Sequence, residues 1–171
     1  MKEPDLTVVW FALHAFAALI FSSFVVFVVL GIAKGILGHS PLKLIVERGG
    51  FANPIVWGPG FILGFFVNRK TFDRVACWVW PMGVAWLAYG VLDSMHGYDP
   101  RFYQGCSALE NIVNAFFILN AYRCGRGSST LEGVLFTIPA VSSAAYAVGA
   151  WVAMRLDHRK GEPIRPAPCS K

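Results

Sequence analysis

Charged residues are scarce in this sequence. Only 15% of the 171 residues are Asp, Glu, Lys or Arg, whereas a soluble domain normally carries about 25%. The deficit is concentrated in long gaps, because residues 51–67 and 75–92 contain none of these residue types and no histidine. Each gap is about as long as a bilayer core is thick, at ~1.5 Å per helical residue. The pattern therefore argues against an ordinary soluble domain and predicts membrane-spanning helices.

Several sequence motifs are absent as well. There is no Walker loop, GxSxG, HExxH or CxxC, so the common signatures of nucleotide binding, serine hydrolysis, zinc proteolysis and dithiol chemistry are missing. No residue pattern predicts a cofactor. The N-terminus lacks the features of a secretory signal, since its first residues mix Lys2 with Glu3 and Asp5, and the apolar run that follows exceeds ~7–15 residues. We therefore interpret that run as a permanent anchor.

Long apolar runs are what the sequence does contain. They predict an all-α, polytopic transmembrane helical bundle that forms a single membrane-embedded domain over residues 1–155. The predicted spans cover about residues 6–33, 51–67, 75–92 and 131–154.

Two shorter segments predict amphipathic helices outside the spans. Ser40–Arg48 begins with a serine that suits an N-cap and a proline that suits the first helical position, so we expect an interfacial helix after the first span. Residues 108–122 place polar side chains on one side of a helix and apolar side chains on the other. We interpret them as a surface helix within an external loop over residues 93–130, and a fifth span is the alternative.

Glycine and other small residues predict how the spans pack. Gly60 and Gly64 form a GxxxG pair, and the stretch 140–149 is rich in Ala, Ser and Gly. Small residues let helices approach closely in lipid, so we expect the last span at the centre of the bundle. Pro59 predicts that the second span is kinked, or extended at its start and helical from Pro59 onward.

The basic residues predict orientation. A formal net charge of +5 would suggest nucleic acid in a soluble protein, but here the basic residues flank apolar runs and indicate contact with anionic lipid instead. Four spans with a cytoplasmic N-terminus place nine of the 15 Lys and Arg residues inside and six outside. Five spans with an external N-terminus give the same division. Both arrangements place the basic tail, residues 156–171, in the cytoplasm, where its composition predicts disorder.

The densest set of candidate metal ligands lies where the third predicted span ends. Asp93 and His96 are three residues apart and therefore share one helical face, Asp99 follows, and Glu110 can join them. The alternative is a polar helix terminus, with Gly97 as its C-cap.

His14 is the only Asp, Glu, Lys, Arg or His residue in the first predicted span. Ionisable groups are costly in lipid, so His14 is a candidate for haem ligation or proton relay. A hydrogen bond to a neighbouring helix satisfies the same physical requirement.

Cys106 and Cys124 both fall in the predicted external loop, where an oxidising compartment favours a disulfide. A full helix over residues 109–120 is ~18 Å long, yet bridged Cα atoms lie within ~7 Å. A disulfide between the two therefore requires a shorter helix, and both the paired and the unpaired states stay open.

Three functions are compatible with this pattern. The first is a non-enzymatic accessory subunit that binds a membrane-protein partner or a second copy of itself. The second is a transporter or channel for a small neutral or lipid-like solute. The third is a membrane enzyme that uses the acidic and histidine residues after the third span. We expect a bacterial plasma membrane as the location.

Overall fold

The computed structural model describes residues 6–38, 53–71, 74–98, 106–118 and 128–159, and every regular element within them is helical. The predicted interfacial helix at Ser40–Arg48 lies outside the described residues. The elements are α1 (Leu6–Phe16), a π-helical turn (Ala17–Phe21), α2 (Ser22–Leu37), α3 (Pro54–Thr71), a 3-10 turn (Arg74–Trp78), α4 (Trp80–His96), α5 (Ala108–Ile112), a second π-helical segment (Val113–Ile118) and α6 (Ser128–Arg159).

The first helical stretch runs without interruption through α1, the π-helical turn and α2. The π-helical turn interrupts the regular pattern of backbone hydrogen bonds. There the Ser22 hydroxyl donates a hydrogen bond to the Ala17 carbonyl oxygen at 2.9 Å. The stretch ends where Gly38 adopts the left-handed conformation, with φ of 67°, and donates its N–H to Lys34 O at 2.9 Å. Glycine takes that conformation without a steric cost, so it forms the C-terminal cap.

α3 begins at Pro54, earlier than one of the two predicted forms allowed. Asn53 stands immediately before the helix, and its Oδ1 accepts the Ile55 N–H at 3.0 Å. Pro54 occupies the first helical position, where the amide that it lacks would have no intrahelical partner. The helix then continues through Pro59. The expectation that this span is extended up to Pro59 is therefore wrong, because Asn53 and Pro54 provide a complete helix start.

α6 forms the centre of the structure, as its small residues predicted. Its apolar window is 61% buried, against 33% for the first helical stretch and 22% for the segment that includes α4. A methyl group added at Gly60 would overlap Ser142 O on α6, and one added at Gly64 would overlap Tyr146 O. Because the residue numbers rise together along this contact, α3 and α6 run parallel with their backbones touching.

α4 packs antiparallel to α6. Gly83 lies against Ala140 and Ser143, whereas Gly90, further along α4, lies against the ring of Phe136. The pairing uses small residues on one face only. The opposite face of α4 carries Trp, Met, Tyr and Leu side chains that the protein leaves exposed. Such a surface is expected where the solvent is lipid.

Two apolar clusters bring the helices together at opposite ends. The first contains residues of α1, the π-helical turn, the 3-10 turn and the C-terminal half of α6: Ala15, Ala18, Ala76, Val79, Tyr146, Ala147 and Ala150. The second contains residues of α2, the start of α3 and the N-terminal half of α6: Val26, Leu30, Val56, Val134 and Ile138. The start of α1, the end of α3, the start of α4 and the end of α6 therefore share one end of the bundle.

The helical segment over residues 108–118 buries two polar side chains against the protein. Asn111 is 2% exposed and Asn114 is also buried, whereas Leu109 is 70% exposed and Phe117 is half exposed. We expected a surface helix over residues 108–122. The segment instead buries one side against the protein, where Asn111 and Asn114 lie together with Ile112, Ala115 and Phe116, whereas Glu110 is exposed. Residues 119–122 lie outside the described residues.

Within the described residues, three helical segments are long and apolar enough to cross a membrane: Thr7–Ile36, Arg74–His96 and Val134–Leu156. α3 is not among them, since its 18 residues include three glycines, two prolines and a polar C-terminal end. The structure thus supports a helical membrane protein with three candidate spans. At the other end of the chain, α6 continues to Arg159, into the segment predicted to be a disordered tail. Residues 160–171 lie outside the described residues.

Candidate functional site

His14 lies in the interior of the bundle, one turn before the π-helical turn. It is 3% exposed, and its Nδ1 forms a hydrogen bond of 2.7 Å with the hydroxyl of Tyr146 on α6. The His14 and Tyr146 rings meet edge to face, with centroids 5.9 Å apart, and the centroid of the Trp10 ring lies 6.3 Å from that of His14. The histidine therefore links the first helical stretch to the central helix.

Sequence reasoning missed Tyr146 as the partner of His14. Only another histidine or a carboxylate was considered, and 132 positions separate the two residues. A signal was present, since Tyr146 is the single large polar side chain within the small-residue stretch 140–149. A large side chain there must fit into a space that its small neighbours leave open, and Tyr146 is fully buried.

Other buried polar side chains also connect helices through backbone carbonyls. The Asn68 amide donates to Ala150 O at 2.9 Å, which joins the end of α3 to α6. The Thr137 hydroxyl donates to Phe116 O at 2.9 Å, in the second π-helical segment, where a carbonyl is displaced from the regular pattern. Hydrogen bonds between transmembrane helices average about 0.6 kcal/mol each and reach about 1.7. Asn68 and Thr137 therefore act mainly by holding neighbouring helical segments together.

Three of the four candidate metal ligands, Asp93, His96 and Glu110, lie within the described residues. Asp93 and His96 are exposed at the end of α4, and His96 Nδ1 bonds to the Leu92 carbonyl at 2.8 Å. Asp99 lies outside the described residues. In the part of the chain that the structure covers, no group of three or more His, Cys, Asp or Glu side chains is placed to hold a metal ion. The four-residue metal site remains a prediction.

Glu110 has a structural role at the start of α5. Its Oε2 accepts the backbone N–H of Ser107 at 2.8 Å, and the Ser107 hydroxyl in turn accepts the Glu110 N–H at 3.3 Å. This is a capping box, which satisfies two amides that a helix start leaves without partners. The sequence Ser-x-x-Glu carries this signal directly.

We expect the Glu110 carboxylate to be replaceable by an amide. Glu110→Gln keeps an acceptor for the Ser107 N–H and should leave the melting temperature nearly unchanged, because capping boxes accept either residue. Ser107→Ala removes the cap and should destabilise by about 0.5–2 kcal/mol. Thermal unfolding in a mild detergent, with and without a chelator, measures both. A site for a metal would instead make Glu110→Gln as damaging as Glu110→Ala and would make the protein sensitive to the chelator.

Cys106 is disulfide-bonded. Cys77 is not part of a disulfide, so the partner of Cys106 lies outside the described residues, as Cys124 does. Pairing between Cys106 and Cys124 therefore stays a prediction. Near this bond the Tyr98 hydroxyl donates to Cys106 O at 2.6 Å, which fixes the chain after α4 to the chain before α5.

No family model, curated protein or solved structure matches this chain. The functional argument therefore rests on the geometry of its own residues.

A second pair of glycines lies on the outside of the bundle. Gly31 and Gly35 on α2 are exposed, and a methyl group added at either would meet no atom within 4 Å. Val28, Ile32 and Ile36 surround them on the same apolar helix face and are 42%, 57% and 77% exposed. This outer glycine face has the same GxxxG spacing as the pair on α3, which packs against a helix.

Proposed function

We propose that this protein is a small integral membrane protein whose function is to bind another transmembrane helix, as an accessory subunit of a membrane complex. The observation that carries the proposal is the contrast between its two glycine pairs. Gly60 and Gly64 touch the backbone of α6, whereas Gly31 and Gly35 face open space on an apolar surface. In lipid, a groove made by glycines provides close packing between helices.

The proposal includes a fourth span. α3 lies parallel to α6 and carries the exposed Arg69 in its last turn. Parallel second and fourth helices are what an up-down-up-down bundle produces. The shortfall in apolar length at α3 is offset by its position, since Asn68 is bonded to α6 and hidden from lipid. We place the end of the bundle that carries Arg69, Arg74 and Arg155, its basic end, in the cytoplasm. The C-terminus is then cytoplasmic, and we propose a bacterial plasma membrane as the host.

The arrangement of polar groups favours binding over catalysis. His14 and Tyr146 bond to each other, Asn68 and Thr137 bond to backbone carbonyls, and Glu110 caps a helix. Each of these contacts holds the fold together. Among the described residues, the outer surface of the helices is therefore available to a partner.

The double substitution Gly31→Leu and Gly35→Leu should weaken partner binding without harming the fold. Filling the outer glycine face with two large side chains should lower the crosslinked fraction about tenfold, which corresponds to about 1.4 kcal/mol of association. A photoreactive amino acid at Ile32, activated in intact membranes, measures that fraction. The mass of the product distinguishes a foreign partner from a second copy.

A matched control adds the same bulk elsewhere. Ala85 and Ala88 are exposed small residues on α4, so leucine at both should leave the crosslink at Ile32 intact. If Ile32 gives no crosslinked product in native membranes, or if the α4 control reduces the product as strongly, the outer glycine face does not bind a partner.

A transporter or channel for a small neutral solute is the second candidate, and one observation favours it. The amide oxygen of Asn111 is buried and has no hydrogen-bond partner in the described part of the chain, and Asn114 is buried beside it on the same helical segment. An unsatisfied amide inside a bundle can bind water or a small polar solute.

Asn111→Leu tests that second candidate. A solute path through this region predicts that the substitution slows urea or glycerol entry into proteoliposomes, measured by stopped-flow light scattering. The comparison is with Leu109→Val, a change on the exposed side of the same segment. Equal swelling of protein-containing and empty liposomes rules out these solutes as substrates.

A further inference from the structure

We propose that a groove at the basic end of the bundle binds the headgroup of an anionic phospholipid. The groove has a volume of about 410 Å³ and lies between the 3-10 turn that precedes α4 and the last turns of α6. Its lining residues are Arg74, Cys77, Trp78, Trp80, Trp151 and Met154.

The position of the groove matches the boundary between lipid and water. One apolar candidate span begins at Arg74, and another ends at Leu156, directly after Arg155. Because α4 and α6 are antiparallel, the start of one and the end of the other lie at the same level. Trp78, Trp80 and Trp151 are all exposed there, and tryptophan is the residue that concentrates at this boundary. The groove therefore faces the region that phospholipid headgroups occupy.

Two arginines supply charge complementarity for a phosphate. Arg74 is exposed and lines the groove, and the guanidinium carbon of Arg155 lies 4.1 Å from the centre of the Trp151 ring. Stacking on an indole face holds a guanidinium by a cation–π interaction and leaves its N–H groups pointing outward along the ring plane. Guanidinium groups bind phosphate oxygens with paired hydrogen bonds. The groove thus has one arginine in its wall, Arg74, and a second, Arg155, on the ring of the lining residue Trp151.

The apolar character of the groove selects a lipid over a soluble phosphate. Cys77, Met154 and the three indoles leave few polar atoms in its wall apart from Arg74. The exposed apolar side of α4 continues from the groove along the bundle, through Met82 and Trp86. An occupant that matches both parts has a phosphate at one end and acyl chains at the other.

The test compares lipids of different charge on the full-length protein. Native mass spectrometry of the protein in a neutral detergent, titrated with phosphatidylglycerol or phosphatidylcholine of identical acyl chains, should show at least about tenfold tighter binding of phosphatidylglycerol. Phosphatidylglycerol should also raise the melting temperature more than phosphatidylcholine does. Equal affinity for the two lipids overturns the proposal. So does equally tight binding of glycerol phosphate without acyl chains, which would indicate a site for a soluble anion.

Arginine variants test whether the groove is responsible for the preference for phosphatidylglycerol. Arg74→Gln combined with Arg155→Gln should remove the preference for phosphatidylglycerol, whereas Arg69→Gln, at an exposed arginine outside the groove lining, should preserve it. All three positions are exposed, so the substitutions spare the packed interior. If the double variant keeps the full preference, or if Arg69→Gln loses it equally, the groove is not the site. Neither the lipid titration nor the arginine variants change Gly31 or Gly35, so their outcome does not depend on partner binding.

Discussion

Gly64→Ala is expected to lower the free energy of unfolding by about 3 kcal/mol, the upper end of the usual cost of adding a methylene to a packed interior. The new methyl group would overlap the Tyr146 carbonyl oxygen. Backbone atoms cannot rotate away as a side chain can, so α3 and α6 would have to separate along their whole contact. Unfolding by a denaturing detergent in mixed micelles measures the loss.

The same change on the outer glycine face should have the opposite sign. Gly31 lies in the interior of α2 and faces open space, so Gly31→Ala gains helix propensity, which is worth about 0.5–1 kcal/mol. The pair of variants has identical chemistry and differs only in surroundings. If both changes shifted stability by the same amount, the close backbone contact between α3 and α6 would be refuted.

Tyr146→Ala is expected to destabilise by about 3–5 kcal/mol, as for other large aromatic side chains removed from a packed interior. Tyr146 is fully buried and packs within the apolar cluster at the basic end of the bundle. Its hydroxyl also holds His14. The loss should therefore contain a packing part and a smaller hydrogen-bonding part.

A double-mutant cycle separates the two parts. Tyr146→Phe removes only the hydroxyl and should cost about 1 kcal/mol, and His14→Leu removes the other member of the bond. Because the two groups are 2.7 Å apart, the double variant should be less damaging than the sum of the single variants by about 0.5–1.5 kcal/mol. Additive effects would show that the hydrogen bond contributes nothing to stability, and a loss of bound haem or of proton transfer in His14→Leu would restore a functional role for that residue.

The helices and their packing faces follow from the sequence because lipid imposes simple rules. Backbone amides in lipid must bond internally, so apolar runs become helices, and glycines mark where helices touch. Gly60 and Gly64 were expected to form a close-packing face, and they do. The small-residue stretch 140–149 predicted that its helix is central, and α6 is the most buried of the three candidate spans.

The sequence could not show which elements pack against each other, or which side of a helix faces the interior of the protein. A helical periodicity over residues 108–118 defines a polar and an apolar side, but the pattern is the same whether the surroundings are water or lipid. The position of that segment against Phe136 on α6 decides that Asn111 and Asn114 face inward. Likewise, the contact between His14 and Tyr146 depends on tertiary packing across most of the chain. The spacing of residues along a helix predicts contacts only between residues a few positions apart.

The parallel contact between α3 and α6 has a consequence for biosynthesis. The ribosome finishes α3 several seconds before α6, since chains grow at about 5–20 residues per second. In the proposed four-span arrangement, the glycine surface of α3 and its polar end at Asn68 have only lipid or the insertion machinery as neighbours until α6 enters the bilayer. The native bundle can therefore close only after the C-terminal helix has been inserted, so a chain truncated before α6 should be an early target of membrane quality-control proteases.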